Sequence, residues 1–200
     1  MAFDLPGHGK RLKEPLLANF ERMTADIFHQ IQDRLNGPYA LYGHSMGALL
    51  GYLLCKRIAQ TSLAQPFHLF VSGRQGPSVE SKEQDWYLLP KDVFIRKLLE
   101  YGGIPQEVAA EGDLMDLFVP ILKADFQAVS EYRYEEAVPL TIPVTVMVGT
   151  DEGITYEEAL QWQRITTQSV TVKQFSGNHF FIFDHVPEIS RMIVQTLENQ

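Results

Sequence analysis

Residues 39–55, YALYGHSMGALLGYLLC, limit the folds open to this chain more than any other stretch. An apolar, aromatic run enters Gly43-His44-Ser45-Met46-Gly47, and a helix-forming tract leaves it. A strand, a tight turn with serine between two glycines, and a helix together raise a serine hydroxyl at the carboxyl end of a sheet. Side chains at positions 43 and 47 are expected to collide with the neighbouring strand and helix, which gives both glycines a steric reason. Ala48 and Gly51 continue the small residues along the helix, so it packs close to the sheet. Ser45 is then the candidate nucleophile. The helix that starts at Met46 turns its positive end toward it, and the Met46 N–H is the candidate oxyanion-hole donor. His44, beside the nucleophile, points elsewhere and is a candidate for lining the substrate pocket.

The rest of the chain alternates strand and helix around one interruption. Residues 1–5 read as the tail of a strand, closed by the turn PGHG. Phe20, Met23, Ile27, Ile31 and Leu35 recur every three or four residues, which predicts a helix over 18–35 with one apolar stripe. Asn36-Gly37-Pro38 stops it. Strands are expected at 39–42 and 67–72, with a helix at 46–60 between them. KDVFIRKLLEYGG and DLMDLFVPILKADFQAV read as amphipathic helices. Gly102 and Gly103 there are a helix stop or, alternatively, a hinge. Strand signals return in IPVTVMVGTD and SVTVKQFSGNH, before a last helix over 188–197. Strands spaced by helices predict an α/β fold with a mostly parallel sheet flanked by helices. Residues 1–73 and 135–200 form its core, and 74–134 form a helical insertion.

A serine nucleophile needs a base, and the base needs an orienting acid. With this turn the chain order is nucleophile, acid, base. His8, His29, His44 and His68 precede the candidate acid strand, and His29 and His68 read as structural. His179 follows the last strand, in a loop suited to reaching Ser45, and is the candidate base. His185 reads as a surface or capping residue at the final helix. The acid is expected just after VTVMVG, where Asp151 is the candidate and Glu152 the competitor. Lys10, Arg11 and Lys13 form a basic loop that is either solvated or a contact for phosphate or an acidic partner.

Bulk properties exclude several classes. Seventeen Lys and Arg against 25 Asp and Glu leave a net charge of -8, which opposes a nucleic-acid surface and an electrostatic membrane anchor. The longest uncharged apolar run, 46–55, is half the length of a bilayer span of about 20 residues. The opening MAFDLPGHGK lacks the apolar core of a signal peptide. With Cys55 the single cysteine, no internal disulfide forms, which fits a reducing, cytoplasmic setting.

The stretches DLPGHGKRLKEP, LYGHSMGALLGY, FVSGRQGP, FVPILKADFQAVSEYRY, IPVTVMVGTDEG and FSGNHFFI resemble, in order, the type II thioesterases that accompany nonribosomal peptide and polyketide synthases. The resemblance implies an α/β-hydrolase fold with a helical lid at about 74–134. It places a catalytic triad at Ser45, Asp151 and His179. It also implies hydrolysis of acyl thioesters on the phosphopantetheine arms of acyl or peptidyl carrier domains, which are the expected partners. No metal or other cofactor of the chain's own is implied. Family members carry further residues before DLPGHG, forming the first strands and a Gly-Gly loop with the second oxyanion donor. This chain is expected to lack them. A monomer is expected, with a dimer as the alternative if the sheet edge pairs with a second copy. Two rival readings are another serine esterase or acyltransferase of the same fold and a non-catalytic carrier-binding protein.

Overall fold

In the computed structural model, residues 1–82 and 84–198 are described. Four strands, β1 (Ala40–His44), β2 (His68–Ser72), β3 (Val144–Gly149) and β4 (Val170–Phe175), form one sheet in the order β1-β2-β3-β4. Every pairing is parallel. All residues of β2 and β3 are buried, as expected of parallel strands covered on both faces. Their side chains divide by the period of two. Leu69, Val71, Val144, Val146 and Val148 join Tyr52 and Trp162 on one side. Phe70 and Met147 join Phe175, Phe181 and Ile189 on the other. Of the two polar residues in β2, His68 and Ser72, His68 shares a 2.9 Å hydrogen bond with Thr145 Oγ1 and stacks on Phe70. It is structural, as the sequence predicts.

Seven α-helices complete the described chain: α1 (Phe20–Ile31), α2 (Met46–Ala59), α3 (Lys91–Tyr101), α4 (Gln106–Ala109), α5 (Gly112–Glu131), α6 (Tyr156–Leu160) and α7 (Val186–Glu198). The stripe predicted for the first helix is buried at all five positions. Its helix is α1, continued by a 3-10 turn at Gln32–Arg34. Gly51 of α2 sits where a Cβ would lie 3.2 Å from Leu69 Cδ1, so the helix rests closely on β2.

The chain groups into two compact units. One holds Gln30–Glu80 and Tyr134–Gln200, with the whole sheet; the other holds Met1–His29 and Ser81–Arg133. The N-terminal segment therefore clusters with the helical insertion rather than with the core to which the sequence assigns it. Residues 1–5 also form no strand. A strand exists through the ladder it shares with a neighbour, and these residues share none. In the helical unit, Phe94, Leu98, Met115 and Val119 make a buried cluster with Trp86 and Phe126 packed against it. Gly102 caps α3 in the left-handed region at φ 78°, its N–H bonding back to the last turn, so YGG is a helix stop. Arg11 donates to both carboxylate oxygens of Asp26, at 2.5 and 2.8 Å, and also pairs with Glu14. Two acidic partners thus hold Arg11, while Lys10 and Lys13 stay exposed.

Candidate active site

The nucleophile turn stands at the end of β1. Ser45 has φ 54° and ψ -116°, one of two described non-glycine residues with positive φ. A side chain held there costs about 1–3 kcal/mol and persists only when the surroundings enforce it. Two backbone bonds do so: the Ser45 N–H donates to Ser72 O at 2.8 Å, and Ser45 O accepts from Ala48 N–H at 3.0 Å. The glycines differ from expectation. A Cβ at Gly43 would collide with the Gly47 carbonyl, so position 43 admits glycine alone. A Cβ at Gly47 would meet nothing within 4 Å, because this residue already lies on the open side of the first helical turn. Met46 begins α2, and N–H groups of a first turn have no acceptor within their helix.

Two loops bring up the other groups. After β3 the chain turns at Gly149, where a Cβ would sit 2.5 Å from Gly177 O and 2.6 Å from Asn178 O. That missing side chain lets the loop after β4 lie directly against it. Asp151 N–H donates to Gly177 O at 2.9 Å, and Thr150 N–H donates to Phe175 O at 2.8 Å. Phe181, stacked on Phe175, anchors the far end of the second loop. His179 is held between these ties.

The acid that meets His179 is Glu152, not Asp151. His179 Nδ1 donates to Glu152 Oε2 at 3.0 Å, and both side chains are almost wholly buried, at 7% and 1% exposure. The other carboxylate oxygen accepts the Gly149 N–H at 2.6 Å. Asp151 is exposed, and its Oδ1 accepts from the Thr150 hydroxyl at 3.1 Å. The reason is the turn itself. The Asp151 N–H is spent on crossing to Gly177, which leaves the Asp151 side chain outside. Gly153 follows at φ 72°, and the longer Glu152 side chain reaches back under the strand end. Proximity in sequence to the strand favours Asp151, whereas the carboxylate that His179 meets is that of Glu152.

His44 lies inside this assembly. Its ring centroid is 4.7 Å from that of His179, and its Nδ1 shares a 2.9 Å hydrogen bond with Ser72 Oγ. Burial, reinforced by the neighbouring His179, pushes its pKa down to about 3. His44 is therefore a neutral ring at any ordinary pH. His185, read as a surface or capping residue, precedes α7; its carbonyl accepts from Ile189 N–H, and its Nε2 lies 3.0 Å from Ser176 O.

The strand-end serine, the buried carboxylate–histidine pair and their order along the chain are those of a serine hydrolase. The thioesterase domain model matches residues 1–197. The chain belongs to the thioesterase family. It is 34% identical over 197 residues to the gramicidin S biosynthesis protein GrsT of Aneurinibacillus migulanus, a match spanning 98% of this chain and 77% of that protein. Among solved structures it is similar to ClbQ from the colibactin NRPS/PKS pathway, with TM-score 0.91, 29% identity, and coverage of 98% of this chain and 84% of that one. It is also similar to the type II thioesterase BorB from the borrelidin biosynthetic cluster, with TM-score 0.87, 28% identity, and coverage of 96% and 78%. This thioesterase has no helix long and apolar enough to cross a membrane among its described residues.

Proposed function

We propose that the chain hydrolyses acyl thioesters carried on the phosphopantetheine arms of carrier domains in nonribosomal peptide or polyketide synthesis, with Ser45, His179 and Glu152 as its triad. The buried bond from His179 Nδ1 to Glu152 Oε2 is the observation that carries the mechanism. It fixes the proton on Nδ1 and makes Nε2 the basic nitrogen of the ring. Likeness to GrsT, ClbQ and BorB supports the choice of substrate class.

In the first half-reaction Nε2 takes the Ser45 proton as Oγ attacks the thioester carbonyl. Negative charge gathers on the carbonyl oxygen, where the Met46 N–H is the first donor. The carbon–sulfur bond breaks, and the pantetheine sulfur leaves as the thiol with the proton from Nε2. A thiol of pKa near 8.5 leaves with far less protonation than an alcohol would need. In the second half-reaction Nε2 takes a proton from water, the hydroxide oxygen attacks the acyl-serine, and Oγ leaves with the proton returned. The Glu152 carboxylate stabilises the imidazolium formed in each half. The chain needs no cofactor of its own, because the pantetheine arrives on its partner. This role belongs in the cytoplasm beside the synthase.

The test is intact-mass spectrometry of an acyl-loaded carrier protein incubated with the chain or with its Ser45→Ala form, next to an oxygen ester of the same acyl group. Loss of the acyl mass with the unmutated chain alone, faster than the oxygen ester is cleaved, is expected. Faster cleavage of the oxygen ester would overturn the substrate assignment.

A further inference from the structure

Glu152 orients His179 through one ring atom, which leaves the plane of the ring to be held by something else. The space beside that ring is filled by His44, 4.7 Å away between centroids at a 43° tilt. Gly73, at φ 61°, makes the packing feasible. A Cβ there would lie 2.5 Å from His44 Cε1 and 3.0 Å from His179 Cε1, so the two imidazoles share the space a side chain would occupy. Ser72 Oγ tethers His44 Nδ1 at 2.9 Å and in turn shares a 2.9 Å hydrogen bond with the Tyr42 hydroxyl. His44 Nε2 is buried with no hydrogen-bond partner. A buried unpartnered nitrogen costs about 1–3 kcal/mol. The ring is held there despite that cost, one residue before the nucleophile and in contact with the base.

We propose that His44 is a positioning residue for the general base: tethered by Ser72, its ring walls one side of His179, holding the imidazole in line with Glu152 and keeping water off its face. The groups that face the pair are the Tyr42 hydroxyl from β1, the Ser72 hydroxyl from β2, Glu152 from the loop after β3, and the uncharged rings of Phe180 and Phe181. Glu152 is the charged member of that set, and it contacts His179. A charged His44 would oppose the imidazolium that catalysis forms. Burial keeps His44 neutral, so it supplies shape without that opposition.

The inference rests on the triad reading, so Ser45→Ala and Glu152→Gln are measured beside it. His44→Ala, Ser72→Ala and His44→Phe are assayed on an acyl-pantetheine thioester from pH 5 to 9. Melting temperatures and the rate of fluorophosphonate labelling of Ser45 are recorded for each. His44→Ala is expected to lower kcat about tenfold or more with little change in KM, as a misplaced reacting group does. Fluorophosphonate labelling of Ser45 is expected to slow with it, because both reactions need a correctly placed base. Ser72→Ala is expected to show a smaller loss in the same direction, and His44→Phe, which restores a neutral ring, to recover most of the rate. Unchanged kcat and labelling rate in both His44→Ala and Ser72→Ala would overturn the inference, as would a loss confined to KM. If His44→Ala does not fold, Ser72→Ala and His44→Phe decide the matter. Loss of activity in Ser45→Ala and Glu152→Gln with none in these variants would leave the triad standing and remove this role alone.

Discussion

His179 Nδ1 and Glu152 Oε2 lie 3.0 Å apart with both side chains shut off from solvent, while the Gly149 N–H holds the second carboxylate oxygen at 2.6 Å. Each Glu152 oxygen therefore has its own donor, and the carboxylate has little freedom to turn away from the ring. Glu152→Gln keeps the shape but invites the wrong imidazole tautomer. Its kcat on a thioester is expected to fall by about 10³- to 10⁴-fold. Asp151→Asn, at an exposed position, is expected to stay within about threefold of the unmutated rate, since surface changes away from such features have small effects. Steady-state kinetics of the two variants side by side check both expectations.

Strain at Ser45 separates stability from activity. At φ 54° and ψ -116° glycine is at ease where serine is not. Releasing about 1–3 kcal/mol of strain, less about 0.5–1 kcal/mol for the greater freedom of glycine in the unfolded chain, leaves a gain of about 1 kcal/mol. Ser45→Gly is expected to raise Tm by roughly 2–4 °C while abolishing hydrolysis. Differential scanning fluorimetry reads the first effect and a thioester assay the second.

Gly43 and Gly47 look alike in the sequence and should behave oppositely. A Cβ at Gly43 meets backbone that cannot step aside, so Gly43→Ala is expected to cost about 3 kcal/mol or more and to lower Tm by roughly 6–12 °C. Gly47 has open space and lies in the first turn of α2. There alanine is favoured over glycine by up to about 1 kcal/mol, and Gly47→Ala is expected to hold or raise Tm. Thermal melts of the two single variants are sufficient.

His8 and Asp125 form a titratable tie within the helical unit. His8 Nδ1 lies 3.1 Å from Pro6 O and its Nε2 3.1 Å from Asp125 Oδ2. Two acceptors call for two N–H groups, so the geometry suits the imidazolium. The hydrogen bond to Asp125 raises the His8 pKa above 6.5, against the opposing effect of burial. The stabilisation is thus fully present below about pH 6.5 and is lost as pH rises through the higher folded value. Asp125→Asn removes the acceptor charge. It is expected to lower stability at pH 5.5 more than at pH 8.5, with the gap visible in urea midpoints measured at the two pH values.

The elements that could be located from sequence were those whose signal is local. The stripe that runs from Phe20 of α1 to Leu35 and the apolar runs of β2 and β3 are periodic, and their burial follows from that periodicity. A turn chemistry and a chain order singled out Ser45 and His179; the structure puts Ser45 on a strand-to-helix turn and His179 against a buried carboxylate. Even α6 left a mark that went unused: Thr155 and Glu158 form a reciprocal capping box, the spacing that announces a helix start. The choice between Asp151 and Glu152 was not local. It depends on which backbone N–H crosses to Gly177, a contact between segments 26 residues apart. The same holds for residues 1–5, where an apolar pattern alone cannot supply a partner strand. His44 was visible as a neighbour of the nucleophile, but its place against His179 depends on Gly73, about thirty residues further along the chain.

The most direct test of the account is the mass of the protein itself, quenched within milliseconds to seconds of mixing with a carrier loaded with a slowly hydrolysed acyl group. The account predicts that the acyl mass moves from the carrier to this chain, maps to the peptide containing Ser45, and then disappears as free acid. It also predicts that Ser45→Ala neither acquires the mass nor unloads the carrier. Unloading by Ser45→Ala at the unmutated rate, or an acyl mass mapped to another residue, would contradict it.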